Sequence, residues 1–324
     1  MDQGLTLGRD GEVVAMVERW RQGVWGVLTW VLAAGWLAGC ASPDASRFAT
    51  AAERVAADTA AAFARLEQAV GERRLAEVAA DPREMPTDET FAPFLLGQDL
   101  TVRMGVVRAL RRYATGLKDL SGAEHRPRVV RAARQLERSL RELQRDLTAA
   151  GIPETGLTDA DLGVLSTVVR RLGEEIGEAR RRQALRTAFR IADPAVRQAG
   201  ALLSAELPEY GQFVEANLAA VETELLAAYR DEAARLDFTG RRQRLREIRE
   251  YRLMRQESRA FFIAAGRAAA RLATAHTLQG QALELDEVDL PALSAALDEL
   301  ERAELELRGI ARLLKLIEVE GDDD

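Results

Sequence analysis

The sequence predicts an all-α fold: an elongated antiparallel bundle of about seven helices, several of them long and carrying heptad-like seams. Three observations lead there. Apolar residues recur in steps of three and four over long segments, and no stretch of useful length alternates with period two. Hydrophobic residues make up 47% of the 324-residue chain but aromatics only 5%, so the core is built from Leu, Val, Ile and much Ala. Such a composition suits helices that approach closely, whereas strands favour β-branched and aromatic residues. Third, proline-bearing polar clusters fall between the periodic segments, where turns are needed. No repeat of fixed period marks a solenoid.

The elements follow in order. Ser42-Pro43-Asp44 reads as a helix start, with Ser at the N-cap, Pro in the first turn and Asp near the positive end of the helix dipole. The seam of this first helix is Phe48, Ala52, Val55, Thr59, Ala62, Leu66 and Ala69, and it ends near Ala80, before the loop "DPREMPTDET". A second helix fits 91–120, closed by "SGAEHRP". A third fits 127–150, with seam residues Val129, Ala133, Leu136, Leu140, Leu143 and Leu147, and stops at Gly151-Ile152-Pro153. "TDADLG" opens a fourth helix carrying Leu165, Val169, Leu172, Ile176 and Ala179. Asp193-Pro194 is expected to end it and start a fifth, because proline fits a first turn but not a helix interior. Pro208 is expected to kink or break the fifth, and Asp237 to Gly240 to turn into a sixth over 241–282, about 60 Å long. Its stretch "FFIAAGRAAARLATAH" is rich in small residues and predicts close helix contact around Gly266. Asp289-Leu290-Pro291 starts the last helix, with the cleanest seam: Leu293, Ala296, Leu300, Ala303, Leu307, Ile310, Leu314 and Ile317. The terminal "EGDDD" is expected to fray.

The N-terminal segment sets the compartment. Arg19 and Arg21 precede an apolar run from Gly23 to Gly39, which is short for a transmembrane helix and ends in small residues. Leu37-Ala38-Gly39-Cys40 resembles the lipobox of bacterial lipoproteins. The resemblance implies cleavage before Cys40 and lipidation of Cys40 as the mature N-terminus. It covers the chain only to about residue 42. The alternative is an uncleaved membrane anchor. Residues 1–15 are long and acidic for the basic head of a signal peptide, so Met16 is a candidate start. Ala41 and Ser42 follow the cysteine, which by analogy with enterobacterial sorting implies the periplasmic leaflet of the outer membrane. The periplasmic side of the inner membrane is the alternative. The expected organisation is a signal peptide over 1–39, a helical bundle over 40–320 and an acidic tail over 321–324. Removing 1–39 takes away four acids and three arginines, so the net charge of −7 becomes about −6. With Cys40 acylated no thiol is left for a disulfide, a nucleophile or a metal.

Catalytic patterns are sparse. Histidine occurs only at 125 and 276. His125 lies in a polar turn. His276 continues the apolar face of Ala269, Leu272 and Ala273, and because Gln279 and Gly280 come next, it is expected to be half exposed. No HExxH, Glu-x-x-His pair, GxSxG, Walker loop, GxGxxG or SxxK is present, so no cofactor and no metal is expected. Carboxylates such as Glu174 and Glu175 are neighbours in sequence and do not face each other on a helix. An enzyme would need a cleft of convergent carboxylates, with the surroundings of His276 the place to look.

Charge geometry is more informative. With Ala133, Leu140 and Leu147 at a and Leu136 and Leu143 at d, residues Arg131, Arg138 and Arg145 occupy f and Arg134 and Arg141 occupy b. All five point away from the seam, toward solvent or an anionic partner: lipid phosphates, lipopolysaccharide or an acidic protein. A second basic run, "RRQRLREIREYRLMR" over 241–255, could act likewise, while 284–306 is strongly acidic. The plainer reading is that both are solubilising faces, or that the acidic last helix pairs with the basic sixth. Nucleic acid is not expected, since the basic runs lack interleaved stacking aromatics. The leading expectation is a lipid-anchored, periplasm-facing interaction or scaffolding module without catalytic activity, whose partners are the membrane through Cys40 and an envelope protein or anionic envelope polymer. A bundle that binds a small apolar ligand or lipid between its helices is the alternative, and an envelope enzyme the second.

Overall fold

Capping residues and apolar seams set the helix boundaries in the computed structural model, which describes residues 45–80, 85, 87, 98–122, 125–174, 177–284 and 289–319. Seven helices run through them: α1 (Ala45–Ala80), α2 (Gln98–Ser121), α3 (Arg126–Ala149), α4 (Asp159–Glu174), α5 (Glu178–Glu232), α6 (Phe238–Glu284) and α7 (Leu290–Val319). No strand occurs among the described residues, and the helices pack on one another as an all-α bundle. The apolar run of 23–39, Cys40, the Ser42-Pro43-Asp44 start and the acidic tail lie outside the described residues.

Helix starts follow local chemistry. At α4, Thr158 Oγ1 accepts the Asp161 N–H at 3.1 Å, and the Asp161 carboxylate accepts the Thr158 N–H at 3.1 Å, a reciprocal cap. At α6, Asp237 Oδ1 accepts the Gly240 N–H at 2.7 Å, so the helix begins at Phe238 rather than at residue 241. At α7, Asp289 Oδ1 accepts the Ala292 N–H at 3.0 Å, with Pro291 in the first turn. α3 stops where Gly151 turns at φ +88° and the Ile152 N–H reaches back to the Leu147 carbonyl at 2.9 Å.

The seams are the core. In α3, Val129, Ala133, Leu136, Leu140, Leu143 and Leu147 are all buried. So are Phe48, Ala52, Val55, Thr59, Ala62 and Leu66 in α1. In α7 Leu293, Ala296, Leu300, Ala303, Leu307 and Leu314 are buried, and Ile310 is half-buried. α5 and α6 form the most extensive pair, α2 packs with α1, α3 and α5, and α7 lies against α6 and α1. Contacts fix the directions. Glu215 pairs with Arg259 and Glu232 with Arg244, so α5 and α6 are antiparallel. Phe48 meets His276 and Phe63 meets Phe262, so α1 and α6 are antiparallel too. α1 and α7 run parallel, with Arg47 on Asp298 and Glu301, and Arg308 on Asp58.

A second boundary differs from expectation. The fourth helix does not continue to Asp193-Pro194: α4 ends at Glu174, and α5 runs from Glu178 straight through both Pro194 and Pro208. Ala179, placed on the fourth-helix seam, is exposed in the first turn of α5. An interior proline costs a helix about 3 kcal/mol. Burying Ile191, Val196, Leu203, Leu207 and Val214 on either side contributes roughly 1.5–3 kcal/mol each, so packing outweighs the two prolines. Neighbours make room for them. A methyl group on Gly266 of α6 would stand 3.3 Å from Pro208 Cδ and 3.4 Å from the Ser204 carbonyl, the acceptor that Pro208 leaves without its helical donor. Gly156, at φ +70°, lies against Pro194, where a methyl would stand 2.6 Å from its Cβ.

The far end of the α5–α6 hairpin projects from the core. Glu222 is the last buried residue of α5, gripped by Arg252 at 2.5 Å and Arg255 at 3.4 Å, and no residue from Thr223 to Glu247 is buried.

Candidate functional site

Three places carry chemistry: a buried polar chain at His276, the arginine face of α3, and the tip of the α5–α6 hairpin.

His276 is fully buried, not half exposed as the fading stripe on α6 suggests. Its cover comes from other helices. Phe48 of α1 and Phe189 of α5 lie against the imidazole, with ring centroids at 5.5 and 4.8 Å. Nε2 is 2.9 Å from the Tyr113 hydroxyl of α2, and Nδ1 is 3.4 Å from Asp193 Oδ1 of α5. Burial lowers the pKa of His276 from its ordinary value, and Arg197 also disfavours charge, against the opposing pull of Asp193. The ring is therefore neutral. Its Nδ1–H donates to the carboxylate, which can only accept, and Nε2 accepts from the Tyr113 O–H. Burial alone would raise Asp193. Hydrogen bonds from His276 and Thr277, the latter at 2.6 Å, and the charge of Arg197 outweigh it and hold Asp193 below the carboxylate range. Burial, together with Asp193, pushes the Tyr113 phenol well above its ordinary value, so it stays protonated.

The order Tyr–His–Asp matches that of a hydroxyl activated by a base and its orienting acid. Yet Tyr113 is 2% exposed and His276 0%, so neither meets solvent. What the chain of bonds does is join α2, α5 and α6 at one level, with every polar atom along it partnered. Neither Tyr113 nor Asp193 stands out in the sequence. Tyr113 sits on an apolar stripe, and Asp193 before Pro194 imitates a helix cap. The one signal was a polar His on the packed face of α6, which needed partners.

The arginines of α3 are where the heptad register puts them. Arg131, Arg134, Arg138, Arg141 and Arg145 are all exposed along one outward face. Arg141 pairs with Glu137 at 2.7 Å one turn back, and Arg145 with Asp146 at 2.9 Å. Arg138 donates to the Arg134 carbonyl, while the guanidinium groups of Arg131 and Arg134 have no partner among the described residues. Such exposed pairs contribute little to stability. His125 is an exposed turn residue whose carbonyl accepts the first N–H groups of α3. The side chains of Glu174 and Glu175 lie outside the described residues.

The acidic last helix pairs with the sixth only in part. Arg271 bonds Glu299 and Arg267 lies 3.7 Å from Glu306. The basic run of 241–255 lies elsewhere: on other helices it meets Glu222 and Glu232 of α5, and its Glu250 meets Arg65 of α1. Among the described residues no group of three or more His, Cys, Asp and Glu is arranged to hold a metal ion, and no helix is long and apolar enough to cross a membrane. Comparison of the chain with protein-family models, with curated proteins and with solved structures finds no match.

Proposed function

We propose that the protein is a bacterial envelope lipoprotein, held by lipid on Cys40 and facing the periplasm at the outer membrane, that acts as a non-catalytic interaction module. The observation that carries this reading is the row of five exposed arginines on α3, which no neighbouring helix covers. Guanidinium groups match carboxylate and phosphate geometry, so an acidic envelope protein or anionic polymer is the partner they suit. The lipobox-like Leu37-Ala38-Gly39-Cys40 after a basic head and apolar run supports the anchor.

Two measurements test it. The Cys40→Ala variant is expected to remain an uncleaved precursor that takes up no labelled palmitate; normal processing would overturn the anchor. Reversing Arg131, Arg134, Arg138, Arg141 and Arg145 to Glu is expected to abolish recovery of the crosslinked envelope partner without loss of helix content. Unchanged recovery would remove this face as the interaction surface.

A further inference from the structure

The α5–α6 tip presents an open groove of about 750 Å³ with a mixed lining. Tyr229 from the end of α5 and Phe238 and Leu245 from the first turns of α6 supply apolar surface, and Arg242, Arg246 and Arg249 flank them. On α6, Phe238, Arg242, Leu245 and Arg249 follow in steps of four, three and four, so they share one helix face. All four are exposed. Phe238 is 73% exposed and Leu245 48%. A single exposed apolar residue is ordinary, but a phenylalanine and a leucine two turns apart on one face, at a hairpin apex with no buried residue from 223 to 247, form a patch.

Several arginines near the patch are held within the fold, and two on its face are not. Arg244 is held by Glu247 at 2.9 Å and Glu232 at 3.6 Å, and Arg252 and Arg255 by Glu222. Arg241 donates to the Leu236 carbonyl at 2.7 Å and stiffens the turn. Arg242 and Arg249, on the face of Phe238 and Leu245, have no carboxylate partner among the described residues. Long arginine stems lie along apolar surface while their heads reach outward, which pairs an apolar centre with an anion-seeking rim. That combination fits a bilayer interface, where acyl chain and phosphate lie a few ångströms apart. We infer that the α5–α6 tip is a docking surface for an anionic phospholipid membrane, with Phe238 and Leu245 entering between headgroups and Arg242 and Arg249 binding their phosphates.

This contact does not draw on α1, the helix that begins the described bundle. α1 enters the bundle beside His276, and Phe238 lies 38 residues earlier on α6, about 57 Å away along the helix. The inference deepens the interaction-module reading but does not rest on lipidation.

All four tryptophans, at 20, 25, 30 and 36, precede Cys40, which allows a local probe. A Phe238→Trp variant of the full chain, with the parent chain subtracted, is mixed with phosphatidylcholine vesicles with or without phosphatidylglycerol. The introduced indole is expected to shift to the blue, and to be quenched by brominated acyl chains, only when phosphatidylglycerol is present. Added salt should weaken the effect. Adding R242E and R249E to that variant should weaken partition by at least about 25-fold, each basic side chain lost being worth about fivefold at an anionic surface. Circular dichroism checks that helix content is kept. The idea is overturned by no shift, by equal shifts on both vesicles, by the same shift with inorganic phosphate alone, or by retained binding in the charge-reversed variant. Failure of the Cys40 anchor appears in the palmitate assay and leaves this local readout unchanged.

Discussion

Acidification below about pH 6.5 is expected to weaken the bundle through a single group, and a His276→Phe variant is expected to lose that sensitivity. The sign follows from the direction of the shift. The folded pKa of His276 lies below its ordinary value of 6.5, so the unfolded chain binds the proton more tightly. Burying the neutral ring therefore costs nothing above pH 6.5, and stability falls as pH drops from there toward the lower folded pKa. The slope approaches about 1.4 kcal/mol per pH unit, the limit for one proton. Burial raises the Glu67 carboxyl from its ordinary 4.5, which adds stability as pH falls and so opposes this decline rather than producing it. A second decline, from Asp193, begins only near its ordinary 3.8 and continues as pH falls through its depressed folded value. Urea midpoints between about pH 7 and pH 5 separate the two. An equal fall in parent and His276→Phe chains would sink the assignment.

The same node tests whether the hydroxyl acts through the ring. Tyr113→Phe removes the donor 2.9 Å from Nε2 and leaves a buried acceptor unpaired, a cost of about 1–3 kcal/mol. Removing both groups, in Tyr113→Phe with His276→Phe, leaves no orphaned atom between them. The double variant should lose less than the two single losses combined. Additive losses would mean that Tyr113 and His276 do not act as a pair.

What the sequence made legible divides along a physical line. Seams confined to one helix were readable: Leu136, Leu140, Leu143 and Leu147 declare their buried face because a helix repeats every 3.6 residues whatever packs on it. The outward arginines of α3 follow from the same register. Helix starts such as those at Thr158 and Asp289 were readable because their cap bonds close within three residues. Features that depend on a second helix were not. Whether Pro194 ends a helix depends on what Ile191 and Val196 gain by burial on both sides of it, a tertiary balance. His276 looked half exposed from α6 alone, since Phe48 and Phe189 arrive from helices more than 80 residues distant in sequence. The tip was visible as a basic run, but only the structure shows that Phe238 and Leu245 stay exposed there beside Arg242 and Arg249.

The close contact of α5 and α6 predicts opposite signs for one chemical change at two helical glycines. Glycine in a helix interior is about 1 kcal/mol less favourable than alanine, so Gly→Ala should stabilise where there is room. Gly309 of α7 is exposed with nothing within 4 Å of the added methyl, and Gly309→Ala should gain roughly 0.5–1 kcal/mol. At Gly200 of α5 the methyl would stand 2.6 Å from Ala273 Cβ and 3.0 Å from the Ala269 carbonyl oxygen. Neither neighbour is the end of a flexible chain, so the helices must part. Overpacking of this kind costs about 1–3 kcal/mol, which exceeds the propensity gain. Gly200→Ala should therefore lower the urea midpoint while Gly309→Ala raises it. Gly211→Ala, 2.8 Å from Phe262 Cβ, should side with Gly200. If Gly200→Ala stabilised as much as Gly309→Ala, the α5–α6 spacing would have to be wider than this packing. Room would then exist between those helices for the small apolar ligand that the tight interface argues against.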